Sequence, residues 1–266
     1  MNLSNPPGSP ETTPRLAISG PIATITLNRP QHRNRLENAD LATLRQHFTE
    51  INADPSIRVV ILCGATHTND AKKAVFSAGY HIGDYGDARP EILFEHIADE
   101  LENLRPVTLC VLEGSVFGGA TDLVLACDFA FAVPGVTMRM PAAATGLHYY
   151  PGGLSRYVSR LGVANAKKAF LTAHTFSTTE MLQIGYIHEI IEPHAIESIV
   201  AERARQIAAL APIAVQTLKR SLNEIARGDF DPARLLAREL ASQSTADFAE
   251  GRRAFAERRA PTFLGH

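Results

Sequence analysis

Two glycine-bearing turns hold the residues best suited to chemistry. One is Phe76-Ser77-Ala78-Gly79-Tyr80. The other, Gly114 to Asp122, reads Gly-Ser-Val-Phe-Gly-Gly-Ala-Thr-Asp and follows the apolar run Val107 to Leu112. A glycine turn between a strand and a helix leaves backbone N–H groups facing whatever sits there. If the two strands are neighbours, the N–H groups of Tyr80 and Gly119 converge on one oxygen. Such a pair suits a thioester that becomes an enolate, because negative charge grows on its carbonyl oxygen. The competing reading is that Gly79, Gly118 and Gly119 only make tight turns.

Asp122 falls in the first turn of the helix that Gly118-Gly119 opens. There it can act as a general acid or base, or it can simply complement the helix dipole. Gly146-Leu147-His148-Tyr149-Tyr150-Pro151-Gly152-Gly153 reads as a loop carrying an imidazole and two phenols. A phenol is a poor base near neutrality, yet it is a good donor to a carboxylate. Aromatic rings in such a loop also pack. His81 and His148 have no partner carboxylate visible in the sequence, and both read as solvated or hydrogen-bonded side chains. The tail from Phe248 to His266 interleaves Arg252, Arg253, Arg258 and Arg259 with Phe248, Phe255 and Phe263. It fits an amphipathic helix whose basic face is either solvated or turned toward phosphates.

The elements that must position these residues follow from periodicity. Pro21–Leu27, Arg58–Cys63, Val107–Leu112 and Phe129–Val133 read as strands, several of them continuous apolar runs typical of buried parallel strands, and Val75-Phe76-Ser77 leads into the Gly79 turn. Leu41, Leu44, Phe48 and Ile51 have helical spacing, as do Ile92, Leu93, Ile97, Leu101 and Leu104, and Ala120–Cys127 reads as an apolar helix. Gly64 to Lys73 reads as a polar loop. This alternation predicts an α/β core built from crossover units. Beyond residue 160 helices dominate: 164–171, 179–184, 196–210, 214–226 and 232–242. Ser177 and Glu180 form a capping box ahead of one of them.

The bulk numbers exclude several classes. The chain has 266 residues, with 26 Lys and Arg against 28 Asp and Glu. A chain of that length can bury about 75% of its unfolded surface without staples. The near-zero net charge gives no basic footprint for nucleic acid. No apolar run reaches the ~18 residues of a membrane helix. Cys63, Cys110 and Cys127 are odd in number, lie in apolar stretches and lack CxxC spacing, so they read as buried free thiols rather than a disulfide or metal set. Residues 1–13, rich in Pro, Ser, Thr and Asn, read as a disordered leader without the features of a signal peptide, on a cytoplasmic protein. The glycines match no dinucleotide fingerprint.

With both turns placed, the chain resembles the enoyl-CoA hydratase/isomerase (crotonase) superfamily from about Thr13 to its end. The motifs that carry the resemblance are Leu27-Asn28-Arg29-Pro30, Phe76-Ser77-Ala78-Gly79, Glu113 to Ala120 followed by Cys127-Asp128, Thr179-Glu180 through Gly185 and Ile187, and Glu250-Gly251 to Arg258-Arg259. The resemblance implies a spiral of ββα units over residues 14–200 and a helical region over 201–266 that forms trimers, often paired into hexamers. It implies an acyl-CoA thioester as substrate, no cofactor beyond the coenzyme A of that substrate, no metal, and an oxyanion hole from Tyr80 and Gly119. Ala78, Gly79, Gly118, His148 and Tyr150 would line the substrate. Hydratases of the superfamily use two glutamates; their positions are occupied here by Asp122, one methylene shorter, and Ala142, which has no acid–base capacity. Within the superfamily the chain is similar to the methylmalonyl-CoA decarboxylases, through Glu113-Gly114-Ser115-Val116-Phe117, the ending Phe263-Leu264-Gly265-His266, and Tyr149 in the place of a tyrosine that orients the substrate carboxylate. It departs from them at Tyr80, where they carry His, and at Asp122, where they carry Glu. The expected reaction is decarboxylation of a malonyl-type thioester, with Asp122 or a water returning the proton. Hydration or isomerisation through Asp122 alone, and a CoA-binding homologue without activity, are the alternatives.

Overall fold

A computed structural model describes residues 13–66, 68, 70, 73–81 and 93–266. The proposed leader up to residue 12, residues 67, 69, 71 and 72 of the 64–73 loop, and Ile92 lie outside these residues. Strand β1 (Arg15–Ser19) turns back into β2 (Ile22–Leu27), then come α1 (Asn38–Ala53), β3 (Val59–Gly64), β4 (Val75–Ser77) and α2 (Phe94–Glu102). Next follow β5 (Val107–Leu112), β6 (Ser115–Phe117), α3 (Ala120–Ala126), β7 (Phe129–Ala132), β8 (Thr137–Arg139) and α4 (Pro151–Thr172). The remainder is β9 (Thr175–Ser177), α5 (Thr178–Gln183), β10 (Glu189–Ile190), α6 (Ile196–Ala208), α7 (Pro212–Ala226), α8 (Pro232–Gln243) and α9 (Ala246–Glu257).

The strands form two sheets. One has the order β1-β2-β3-β5-β7-β10 and the other β4-β6-β8-β9. The repeats β3-β4, β5-β6 and β7-β8 each send their first strand to the large sheet and their second to the small one before a helix returns the chain, whereas β1 and β2 both stay in the large sheet. All neighbours are parallel except β1–β2 and β8–β9. The continuous apolar run of β5 is buried along its whole length, as a central parallel strand must be. Leu41, Leu44, Phe48 and Ile51 make the buried stripe of α1.

The structure corrects the sequence reading at several points. The stretch Gly114–Asp122 is not one turn: β6 runs through its middle, and three residues between glycines are too few to show a period of two. The short strands β1, β8, β9 and β10 are likewise added. Helix α4 begins at Pro151, not near residue 164. Proline fits its first turn because the missing N–H has no partner there. Gly162, with φ +76°, breaks this helix in two, which is why only its second half shows helical spacing. The Ser177–Glu180 capping box forms as expected, and all three cysteines are buried and free, with the Cys63 thiol pushed up to about 11 chiefly by burial.

Asn34 ties these layers to the site. Its side-chain amide donates to the carbonyls of Ala65 (2.8 Å) and Phe76 (3.0 Å), and its oxygen accepts from the Arg29 N–H (2.9 Å). Ser77 Oγ donates to the Asn34 carbonyl at 2.7 Å. Asn34 is fully buried and left-handed, with φ +48°, a conformation that Asn tolerates better than most residues. Its side chain thus fastens β4 to the end of β3. Asn34→Ala is expected to cost about 2–3 kcal/mol, because it strands buried carbonyls and strains the backbone; a urea midpoint unchanged from the parent would refute this anchoring role.

Candidate active site

Strands β4 and β6 pair in parallel, with Val75 opposite Ser115. The two glycine turns that follow them therefore meet. A Cβ built on Gly79 would lie 2.9 Å from the Gly119 nitrogen and 2.8 Å from the Phe117 oxygen. Gly79 also has φ +88°, which side chains disfavour. Gly114 serves the other end of the pairing: a Cβ there would lie 2.6 Å from the Val75 nitrogen. On its outer edge the Gly79 segment bonds to Leu36, through Leu36 N–H to the Gly79 carbonyl and His81 N–H to the Leu36 carbonyl, both at 2.9 Å. Alternation along an extended strand turns the Tyr80 N–H to the opposite edge, where β6 and the Gly118-Gly119 turn lie. Ala78 and Gly118 face each other across this junction, since a Cβ on Gly118 would lie 3.4 Å from the Ala78 oxygen.

The second turn is braced from below. Thr121 Oγ1 donates to the Gly118 carbonyl at 2.6 Å, and the buried Tyr157 hydroxyl donates to Thr121 Oγ1 at 2.6 Å. Tyr186 donates to the Thr121 carbonyl at 2.9 Å. From above, Phe94 at the start of α2 lies over Gly119, where a Cβ would meet its ring at 2.9 Å. Phe94 also packs on Tyr80 and Tyr150, with ring centroids 6.0 and 6.3 Å apart.

The phenols form a chain. Tyr150 donates to Asp122 Oδ2 at 2.5 Å, and Tyr149 donates to the Tyr150 oxygen at 3.0 Å. Tyr149 is buried and Tyr150 half-buried. Glycines let this chain seat itself: a side chain on Gly153 would collide with the Tyr149 ring. Burial, and after it the nearby charge of Asp122, hold the Tyr150 hydroxyl well above the usual tyrosine range. Burial and the Tyr150 neighbour do the same for Tyr149. Both phenols are protonated at any physiological pH.

Asp122 has a different setting from a general acid or base. It is completely buried. Arg156 grips it with Nε on Oδ1 at 3.0 Å and Nη2 on Oδ2 at 2.7 Å, while Tyr150 occupies Oδ2 as well. A proton would have to reach it through Tyr150 and would then displace part of this grip. Ala142 is buried at the start of the 3-10 turn Ala142–Thr145 and supplies no acid. His148 is exposed and His81 half-buried. In the tail, Glu250 engages Arg259 at 2.6 Å and Arg253 at 2.7 Å, so these two cations are internally paired.

Sequence reasoning missed Arg156, Phe94, Tyr157, Thr121 and Asn34. Arg156 left one signal: it shares a buried helix face with Gly153 and Tyr157, and arginine on such a face requires carboxylate partners. Phe94 left none, because α2 is distant in sequence from both turns.

Two sheets wound from strand–strand–helix repeats, with two glycine turns meeting at the edge of the smaller, define the class: a crotonase-type α/β spiral. The chain belongs to the enoyl-CoA hydratase/isomerase family, whose model matches residues 17–266. It is 27% identical over 246 residues to a short-chain-enoyl-CoA hydratase of Clostridium acetobutylicum, covering 92% of this chain and 94% of that protein. It is 25% identical over 256 residues to a methylmalonyl-CoA decarboxylase of Escherichia coli, covering 92% and 95%. Its fold matches the crystal structure of an enoyl-CoA hydratase/carnithine racemase from Magnetospirillum magneticum with a TM-score of 0.86 at 26% identity, over 96% of each chain. The protein is thus a CoA-thioester enzyme of the crotonase superfamily.

Gly79→Ala is expected to fill the space against the Gly119 N–H. Turnover of a CoA thioester should fall about 10²–10³-fold, the usual consequence of losing an oxyanion donor. Gly20→Ala is the control, since Gly20 has φ +57° but open space around it; equal losses in the two variants would point to backbone strain and not to the hole.

Proposed function

We propose that this enzyme is an acyl-CoA lyase that decarboxylates a malonyl-type thioester, such as methylmalonyl-CoA to propionyl-CoA. The observation that carries this reading is the state of Asp122. Among the described residues, the carboxylate of Asp122 beside the Gly119 turn is locked by Arg156 and Tyr150, and Ala142 supplies no second one. Loss of CO₂ needs no base. The electrons of the bond from Cα to the carboxylate pass into the thioester carbonyl, and CO₂ departs. The N–H groups of Tyr80 and Gly119 stabilise the resulting enolate oxygen. A water then returns the proton to Cα.

The departing carboxylate must be held out of the thioester plane, and Tyr149 is assigned that task. Its donation to Tyr150 is a neutral bond at 3.0 Å, readily exchanged for a stronger, charge-assisted bond to a substrate carboxylate. Arg156 neutralises Asp122, so the buried charge does not repel that carboxylate. A second reading, hydration of an enoyl thioester, draws support from the 2.5 Å contact through which Tyr150 could pass a proton to Asp122, and from the hydratases among the relatives.

Incubation with methylmalonyl-CoA should yield propionyl-CoA and CO₂ by mass spectrometry. Tyr149→Phe should lower kcat/KM about 10–100-fold, matching one hydrogen bond to a charged group. Hydration of crotonyl-CoA without any decarboxylation would replace this reading by the second one. Tight CoA binding without turnover of any malonyl or enoyl thioester would make the chain a binding protein.

The enzyme is also proposed to assemble as a trimer or a pair of trimers. Leu218 and Leu222 of α7, Leu236 and Leu240 of α8, and Phe255 of α9 are each more than half exposed. A surface of this kind marks an interface. Sedimentation should give the mass of three or six chains; a monomer at micromolar concentration would contradict it.

A further inference from the structure

We propose that Arg156 is a positioning residue: by gripping both oxygens of Asp122 it fixes the hydroxyl of Tyr150, and through it sets which proton of the phenol pair a substrate can use. The inference rests on the acyl-CoA reading above, in which Tyr149 meets the substrate carboxylate.

The argument begins with the order of the hydrogen bonds. An ionised carboxylate only accepts, so the single hydroxyl proton of Tyr150 is committed to Asp122. The Tyr150 oxygen must then accept from Tyr149. The chain has one polarity, and Asp122 sets it. Tyr149 consequently holds the only phenol proton that can be transferred to a new acceptor without breaking the contact to Asp122. This polarity depends on where the oxygens of Asp122 lie, and Arg156 holds both of them. A carboxylate free to turn would offer the Tyr150 hydroxyl another oxygen or none, and the polarity of the chain would no longer be fixed.

Arg156 also sets the distance between the parts of the site. It is almost fully buried and reaches three carboxylates: Asp122 of α3, and Asp99 (2.7 Å) and Glu102 (3.4 Å) of α2. Helix α2 begins with Phe94, the ring over Gly119. Gly119 is the cap from which helix α3 begins, and α4, which carries Arg156, begins directly after Tyr149-Tyr150. One guanidinium thus registers the roof of the hole, its second donor and the phenol pair. A planar fork with donors on two edges can do this; an ammonium cannot reach both oxygens of Asp122 and α2 together. The titratable and charged groups near Tyr150 are Asp122 from α3, and Tyr149 and Arg156. Asp99 and Glu102 contact Arg156 rather than the phenol, and Glu102 is shared with Arg227 at 2.9 Å.

The test has two arms. Arg156→Lys keeps the charge and the buried volume while losing the fork. It should keep the parent circular dichroism and lower kcat on methylmalonyl-CoA by about tenfold or more, with KM changed by less than about threefold. The second arm uses no substrate. In protein labelled with 13C at the hydroxyl-bearing ring carbon of tyrosine, the Tyr150 signal, assigned through Tyr150→Phe, should shift in Arg156→Lys, because that hydroxyl loses its fixed acceptor. A folded Arg156→Lys enzyme with the parent kcat, or a Tyr150 signal unmoved in it, would overturn the proposal. If the signal moves while the parent turns over no malonyl-type thioester, the positioning role stands and the proposed substrate falls.

Discussion

The closeness of β4 and β6 is the constraint on which the rest of this molecule depends. Two short strands from separate repeats run side by side, and the backbone at each end of the pairing is too near its neighbour for a side chain. Gly114 lies against Ala74-Val75 at one end and Gly79 against Phe117 and Gly119 at the other. Neither strand is long enough to specify its own register by a pattern of side chains. Register comes instead from the contacts around them: Asn34 and Ser77 on the side of β3, Thr121 and Tyr157 beneath the second turn. This makes the position of two backbone N–H groups a property of the packed core. Backbone donors held in this way need no reorganisation as charge develops on a bound oxygen.

The charged interior has a different character. Asp99, Glu102, Asp122, Arg156 and Arg227 form one connected cluster that joins α2, α3, α4 and the end of α7. A buried ion pair is seldom a net source of stability, since desolvation offsets much of the attraction. Burial alone would push the Arg156 guanidinium down, but its contacts with Asp122 and the other carboxylates leave it raised. What the cluster supplies is directional: a fork that fits one arrangement of three helices. It also leaves both oxygens of Asp122 engaged, the observation on which the decarboxylation proposal rests.

Much of the fold was legible in the residues. The apolar runs of β3 and β5, the helical spacing of Leu41 to Ile51, and the Ser177–Glu180 box each encode a local structure, and each formed. Elements of two or three residues were not legible. Strands β6, β8, β9 and β10 exist because a neighbour offers a ladder of hydrogen bonds, and a stretch so short carries no periodic signal of its own. The start of α4 was obscured for a related reason: Pro151, Gly152 and Gly153 read as a loop, yet the proline suits a helix start and Gly153 makes room for the Tyr149 ring.

The sequence by itself determined the two glycine turns, the paired Tyr149-Tyr150, and the lack of an acid at Ala142, because glycine, tyrosine and alanine carry their steric and chemical limits wherever they lie. Only the tertiary structure decided what Asp122 is. In the sequence it is a carboxylate one turn into a helix, equally suited to capping, proton transfer or binding. In the fold its partner is Arg156, 34 residues away, with Tyr150 on the remaining side. The charge state and reach of a carboxylate are set by the groups within a few ångströms, and those groups are chosen by the packing of helices that no local pattern brings together.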